Sequence, residues 1–226
     1  MEQFFFRISI MLVPALLAIT CHEVSHGFVA NRFGDPTARL QGRLTLNPLK
    51  HLDIFGTLMV FIVGIGWAKP VPVDFRNLHH PKRDMIWVAA AGPVTNFLLA
   101  AASALLLRLA VAVSEWSAGT ALATAVMEPV LLMLAFSVYI NLLLCIFNLI
   151  PLPPLDGGRV AVGILPYRPA AALARIEPYG MILIIALVFF TDVFSYIILP
   201  LLRAGVVLLA GPYSQIVFGV TTLLMR

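Results

Sequence analysis

The chain has 226 residues, 61% of them hydrophobic and 12% charged, with a formal net charge of +4 and a mean hydropathy of +0.97. Soluble domains run near half apolar and a quarter charged, so this balance excludes an ordinary water-soluble globule and points to an all-α polytopic membrane protein. The basic excess does not signal a nucleic-acid partner, because Lys and Arg beside membrane spans report orientation first.

The first apolar run, 4–33, is about 30 residues long, without a basic leader or an obvious small-residue cleavage site. It reads as a retained span rather than a signal peptide. It is also where the sequence is least expected to be polar, yet it carries H-E-V-S-H at 22–26. The connection at 34–51 follows; Arg32 just before it and Arg39, Arg43 and Lys50 within it form one basic cluster, and a second, Lys69, Arg76, Lys82 and Arg83, precedes the run at 85–113. Both clusters are expected to face the cytoplasm. Between them Ile54 to Gly66 is apolar but too brief for an ordinary span, which predicts a re-entrant or protein-covered segment. Arg43 to Asn47 alternates apolar and polar residues like a strand, and A-K-P-V-P-V at 68–73 is kept extended by its prolines. The reading is of a short β-like loop on the cytoplasmic side.

Runs at 85–113 and 122–150 are long enough to cross roughly 30 Å of hydrocarbon, which takes about 20 helical residues. The turn between them carries Glu115 and no Lys or Arg, which fits the outside. Pro151, Pro153 and Pro154 then force the helix to unwind. Runs at 178–190 and 194–224 complete about five to six transmembrane helices, with Pro200, Gly205, Gly211 and Pro212 obscuring the helix ends. No long polar stretch or internal repeat interrupts the series, so 1–226 is read as a single membrane-embedded domain. Cys21 and Cys145 lie inside apolar runs and read as buried small side chains. Trp67, Trp87 and Trp116 near predicted span ends suit interfacial anchoring, and Arg108 suits snorkelling.

His22 and His26 are four apart, so about 400° of helical rotation returns them to one face, roughly 6 Å from each other. That pair can grip a metal ion, with Glu23 placed to take a proton from metal-bound water. An ionisable residue near the centre of a membrane helix costs about 2.5–3.5 kcal/mol even on the lenient insertion scale, which makes an accidental H-E-x-x-H expensive here. The helix is expected to end near Gly34, with Pro36 beyond, leaving the pair roughly 10–18 Å inside its cytoplasmic end. Catalytic zinc sites usually show three protein ligands and a water. His51, His79 and His80 lie in basic, loop-like segments and are poor candidates for the third. Asp156, on the opened backbone of N-L-I-P-L-P-P-L-D-G-G-R at 148–159, is the better one, although Asp before Gly-Gly also suits a cap for the helix that follows.

H-E-V-S-H at 22–26, G-P-V-T-N at 92–96 and N-L-I-P-L-P-P-L-D-G at 148–157 together resemble the site-2 protease family of intramembrane zinc metalloproteases. N-P-L-K-H-L-D at 47–53 and G-W-A-K-P-V-P-V at 66–73 look like its short bacterial branch. The resemblance implies one Zn2+ bound by His22, His26 and Asp156, Glu23 as general base, and hydrolysis of peptide bonds in or near a substrate's membrane-spanning segment. By the same matching, Asn96 and Asn148 line the site, where their amides would hold the scissile carbonyl or its oxyanion; the alternative for each is interhelical hydrogen bonding. No PDZ insertion or other appended domain is seen, so substrate choice falls to the membrane core, the loops or another protein. The resemblance also implies a multi-pass protein of a bacterial plasma or inner membrane, with lipid and a membrane-spanning substrate protein as partners. An edge in 39–47 is expected to pair with unwound substrate by strand addition. The rival readings are a metal transporter, which would need several ligand stations along its path, and a non-catalytic scaffold, which would have no use for Glu23.

Overall fold

A computed structural model of the chain describes residues 2–56, 58, 66–116 and 121–224. Helices dominate it because, in hydrocarbon, a backbone satisfies its N–H and C=O groups only within a helix or a closed barrel. The long ones are α1 (Glu2–Arg32), α2 (Pro81–Trp116) and α3 (Ala121–Asn148). Then come α4 (Asp156–Ile164), α5 (Tyr167–Ala174), α6 (Gly180–Phe190), α7 (Leu199–Ala210) and α8 (Ser214–Leu224). Five stretches are long and apolar enough to cross a membrane: Phe5–Arg32, Pro81–Glu115, Ala125–Asn148, Tyr167–Phe190 and Phe194–Leu223. The polytopic helical architecture read from composition is the one observed. α1 stops at Arg32, where Asp35 N–H returns 2.9 Å to Ala30 O across Gly34, whose φ of 108° suits only glycine.

The described residues form two compact units. The first comprises Met1–Ala18, Asn96–Ile146 and Asp192–Arg226. Its core sets Ala100, Ala104 and Leu107 of α2 against Ala135, Val138 and Leu142 of α3 and Leu202, Val206 and Ala210 of α7. The three-and-four spacing puts each set on one helical face, and the alanines let the backbones approach closely. Polar links are threaded through this core. Ser103 and Ser137 hydroxyls meet at 2.8 Å, Asn96 Nδ2 donates to Asn141 Oδ1 at 2.9 Å, and Asn141 Nδ2 donates to Ser137 O at 2.9 Å. The first two of these cross from α2 to α3, and such interhelical bonds are worth about 0.6 kcal/mol each, which adds specificity of packing more than stability. Arg108 uses its Nη2 to donate to Leu209 O at 2.5 Å, placing a cation on the closing carbonyls of α7.

The second unit comprises Ile19–Thr95 and Phe147–Thr191. A small apolar cluster of Ala30, Leu78 and Val88, with Phe33, Val73 and Phe75 against it, joins α1 and α2 to the connection between them. Asp35 ties that connection together. Fully buried, its carboxylate accepts from Thr37 N at 3.1 Å, Asp74 N at 2.8 Å, Asn77 Nδ2 at 3.0 Å and the Thr37 hydroxyl.

The β-like loop takes a different form from the one expected. Arg43 to Asn47 is not a strand. The N–H groups of Leu40, Gln41, Gly42 and Arg43 turn back onto the carbonyls of Pro36, Thr37, Arg39 and Ala38, so 40–43 is a turn and not the start of a strand. Among the described residues the β pairing is one antiparallel bridge, Leu52 with Ala68, reinforced by Lys69 N–H to His51 O at 2.9 Å. Arg43 Nη2 donates to Lys69 O at 2.9 Å. The predicted re-entrant segment, 54–66, lies largely outside the described residues. Trp67 and Trp87 are exposed, as anchors would be; the side chain of Trp116 is outside the description.

Burial works against the charge of Asp35, but the donors from Asn77, Thr37 and Asp74 outweigh it and hold the carboxyl below the ordinary carboxylate range. A folded-state pKa below the unfolded one stabilises the fold above the unfolded value, near pH 4, and the contribution disappears as pH falls through the folded value. In an Asp35→Ala variant, hydrogen exchange at the Thr37 and Asp74 amides at pH 7 is expected to quicken about 10- to 100-fold, the loss of one or two charge-assisted bonds. The wild-type chain should approach that rate, corrected for intrinsic exchange, only well below pH 4.

Candidate active site

The second unit contains all the atoms of a compact donor cluster. α1 carries His22 and His26 one turn apart, with ring centroids separated by 4.7 Å and planes at 84°. Their Nε2 atoms are 3.1 Å apart. α4 contributes Asp156, whose Oδ2 lies 3.1 Å from His22 Nε2 and 3.4 Å from His26 Nε2. All three side chains are at most 12% exposed. Among the described residues this is the one group of three such donors close enough to share an ion.

Asp156 reaches this place because the chain cannot stay helical through Pro151, Pro153 and Pro154. The loop folds back so tightly on the start of α4 that a Cβ on Gly157 would lie 2.3 Å from Leu149 O, and one on Gly158 2.2 Å from Pro153 N. The two glycines after the aspartate are therefore packing requirements, a role for D-G-G beyond the ligand and cap readings that the sequence suggested. The cap itself is Leu155, and Asp156 is the first helical residue, at the end of α4 where a negative charge is favoured.

His26 Nδ1 is 2.7 Å from Val88 O on α2. A carbonyl only accepts, so Nδ1 carries the proton and Nε2 presents its lone pair to the cluster. Asp156 Oδ2 is buried, and neither imidazole contact has hydrogen-bond geometry, which leaves it without a hydrogen-bond partner. Two nitrogens and an anionic oxygen facing one another at 3.1–3.4 Å are what tetrahedral ligation leaves when each donor is about 2.0–2.2 Å from a common cation, since the edges of that tetrahedron are roughly 3.3–3.5 Å. The donor set fits zinc.

Glu23 is held by the extended segment after Trp67. Its Oε2 accepts from Val71 N–H at 2.8 Å. Pro70 and Pro72 have no N–H, so within P-V-P this is the single backbone donor available. Asn96, in the first unit, is fully buried and gives its amide hydrogens to Ala18 O at 3.2 Å and Asn141 Oδ1 at 2.9 Å. To act as an oxyanion donor it would have to release one of them. Asn148 is the last residue of α3, partly buried, at the point where the helix gives way to the proline loop. His51 is buried with Nε2 donating to Thr45 O at 2.9 Å, and neither it nor His79 or His80 joins the donor cluster.

The sequence profile of Peptidase family M50 matches residues 110–191. Over 209 residues the chain is 39% identical to "Putative zinc metalloprotease YwhC" of Bacillus subtilis, covering 91% of this chain and 93% of that protein. This chain belongs to peptidase family M50. It is also 30% identical to "Putative zinc metalloprotease Rip2" of Mycolicibacterium smegmatis over 178 residues, 76% of this chain and 63% of that protein, and 30% identical to the Rip2 of Mycobacterium tuberculosis H37Rv over 189 residues. No solved structure matches the chain. As an M50 member it is a zinc metalloprotease of the site-2 type, a multi-pass membrane protein acting on membrane proteins.

Purified M50 protein of this sequence should carry close to one zinc per chain by atomic emission. Stripping it with a chelator should abolish cleavage of a membrane-protein substrate, and stoichiometric Zn2+ should restore it. Full activity in metal-free protein would contradict the zinc requirement.

Proposed function

We propose that His22, His26 and Asp156 hold the catalytic zinc and that Glu23 is the general base for hydrolysis of peptide bonds in or beside a substrate's transmembrane segment. The observation that carries this reading is the buried, otherwise unpartnered Asp156 Oδ2 facing both imidazole Nε2 atoms at 3.1 and 3.4 Å. Zinc bound there supplies Lewis-acid polarisation of the scissile carbonyl and acidification of the attacking water. The rest is the work of the chain. Glu23, adjacent to His22 on α1, takes the proton from the water and returns it to the leaving amide nitrogen. Val71 N–H keeps its carboxylate from swinging away while it does so. His26 keeps its donor nitrogen turned inward because Val88 O fixes the other side of the ring. Asn148 is the amide proposed to stabilise the oxyanion, and Asn96, committed to helix packing, takes that role only by exchanging a partner.

A substrate helix hides its carbonyls in its own hydrogen bonds, so a stretch of it unwinds before attack. The basic residues of 32–50 and 69–83 support a cytoplasmic orientation of those segments in a bacterial cell membrane, and the unbroken series of apolar runs supports reading 1–226 as one membrane-embedded protease domain. A transport path is the weaker reading, since it calls for several ligand stations and one donor cluster is found among the described residues.

Glu23→Gln should lower turnover by about 10²- to 10⁴-fold, the usual worth of a general base, while zinc content stays near one per chain. Zinc flux into proteoliposomes that survives Glu23→Gln would instead favour a transporter. Val71→Pro removes the amide donor from an already extended segment, and Val71→Ala keeps it. Turnover is expected to fall about tenfold in the first variant, on the scale of one charge-assisted hydrogen bond, and to hold in the second; equal losses would mean that packing, not the N–H, is what matters at this position.

A further inference from the structure

One turn of α2 runs against the donor cluster. Val88 offers its carbonyl to His26 Nδ1, and Gly92, four residues later, lies on the same helical face. A Cβ built on Gly92 would stand 2.5 Å from His26 Nε2, 2.6 Å from His22 Nε2 and 2.4 Å from His22 Cε1. These distances are about 1 Å inside van der Waals contact, and two of the three are to the proposed ligand atoms themselves. The ring of His26 therefore lies along the turn from 88 to 92, held at one end by a carbonyl and accommodated at the other by a missing side chain.

We infer that Gly92 is the residue that keeps the coordination space of the two imidazoles open, so that any side chain at this position excludes the metal while leaving the fold intact. The inference rests on His22, His26 and Asp156 being the ligands and adds a fourth position on which metal loading depends. The rings are ends of flexible side chains, so a methyl at 92 can be relieved by swinging them outward. That motion leaves the helix undisturbed, and alanine is a better helix former than glycine. What it destroys is the convergence of Nε2 atoms, because His26 cannot withdraw from position 92 and keep both its Val88 bond and its partners. Gly219 on α8 supplies the contrast: a Cβ there meets nothing within 4 Å.

The test uses the full-length chain in detergent, stripped of metal and titrated with Zn2+ against a competing chromophoric chelator. Wild type and Gly219→Ala should bind one zinc with affinities within threefold of each other. Gly92→Ala should bind at least 100-fold more weakly, with helicity and metal-free melting temperature unchanged, and zinc should raise the melting temperature of wild type but not of Gly92→Ala. Zinc binding by Gly92→Ala within threefold of wild type would overturn the inference and leave the ligand assignment standing. Undiminished binding by His22→Ala/His26→Ala would overturn the ligand assignment, and this inference with it. If Gly92→Ala lowers the metal-free melting temperature, the same substitution is measured in the His22→Ala/His26→Ala background. A penalty that vanishes once the rings are trimmed supports the assigned contact, whereas one that persists shows that position 92 acts elsewhere and defeats the proposal.

Discussion

A buried carboxylate oxygen with no hydrogen-bond donor, opposed by two imidazole nitrogens, is an arrangement that hydrocarbon-like surroundings penalise unless a cation is shared among them. Much of the second unit serves to maintain that opposition. Val88 O orients one ring, the refolded proline loop carries Asp156 in from a distant part of the chain, and Gly157 and Gly158 let the loop lie directly on the backbone of α4. Each contact is modest in energy. Together they leave the donors few other places to go.

The positioning relies on backbone as much as on side chains. In P-V-P at 70–72 the flanking prolines do not merely extend the chain; they delete the neighbouring N–H groups and leave one donor, which lies at hydrogen-bond distance from Glu23. At 88–92 one helical turn presents an acceptor and an absent Cβ. At Asp35 a single carboxylate gathers donors from residues 37, 74 and 77, which binds the long connection between α1 and α2 into one body with the helices it joins. Membrane helices gain little from burying apolar surface against one another, since lipid is equally apolar. Discrete polar anchors of this kind carry more of the structural specificity than they would in water.

The two asparagines singled out by motif matching illustrate how far such matching reaches. Asn96 and Asn148 have the same side chain, but one is enclosed in the helix core with both amide hydrogens given away, and the other stands where α3 unwinds. Nothing in the letters separates them. Arg108 is similar: a lone arginine in an apolar run suggests snorkelling, and the observed partner is a carbonyl at the end of α7, a hundred residues along the chain.

The sequence by itself determined the polytopic helical class, where α1 and α3 end, and the pairing of His22 with His26, because apolar run length, helix-breaking residues and the 3.6-residue turn are local properties. It also supplied Asp156 as a candidate, since prolines stop a helix wherever they occur. Tertiary structure alone decided that Asp156 faces the imidazoles instead of capping α4, that Val71 N–H bonds Glu23, that 40–43 turns back instead of leading into a strand, and that Gly92 abuts the donor atoms. Those outcomes depend on which backbone groups from remote segments arrive at the same few ångströms, and that is settled by packing, which no single segment encodes.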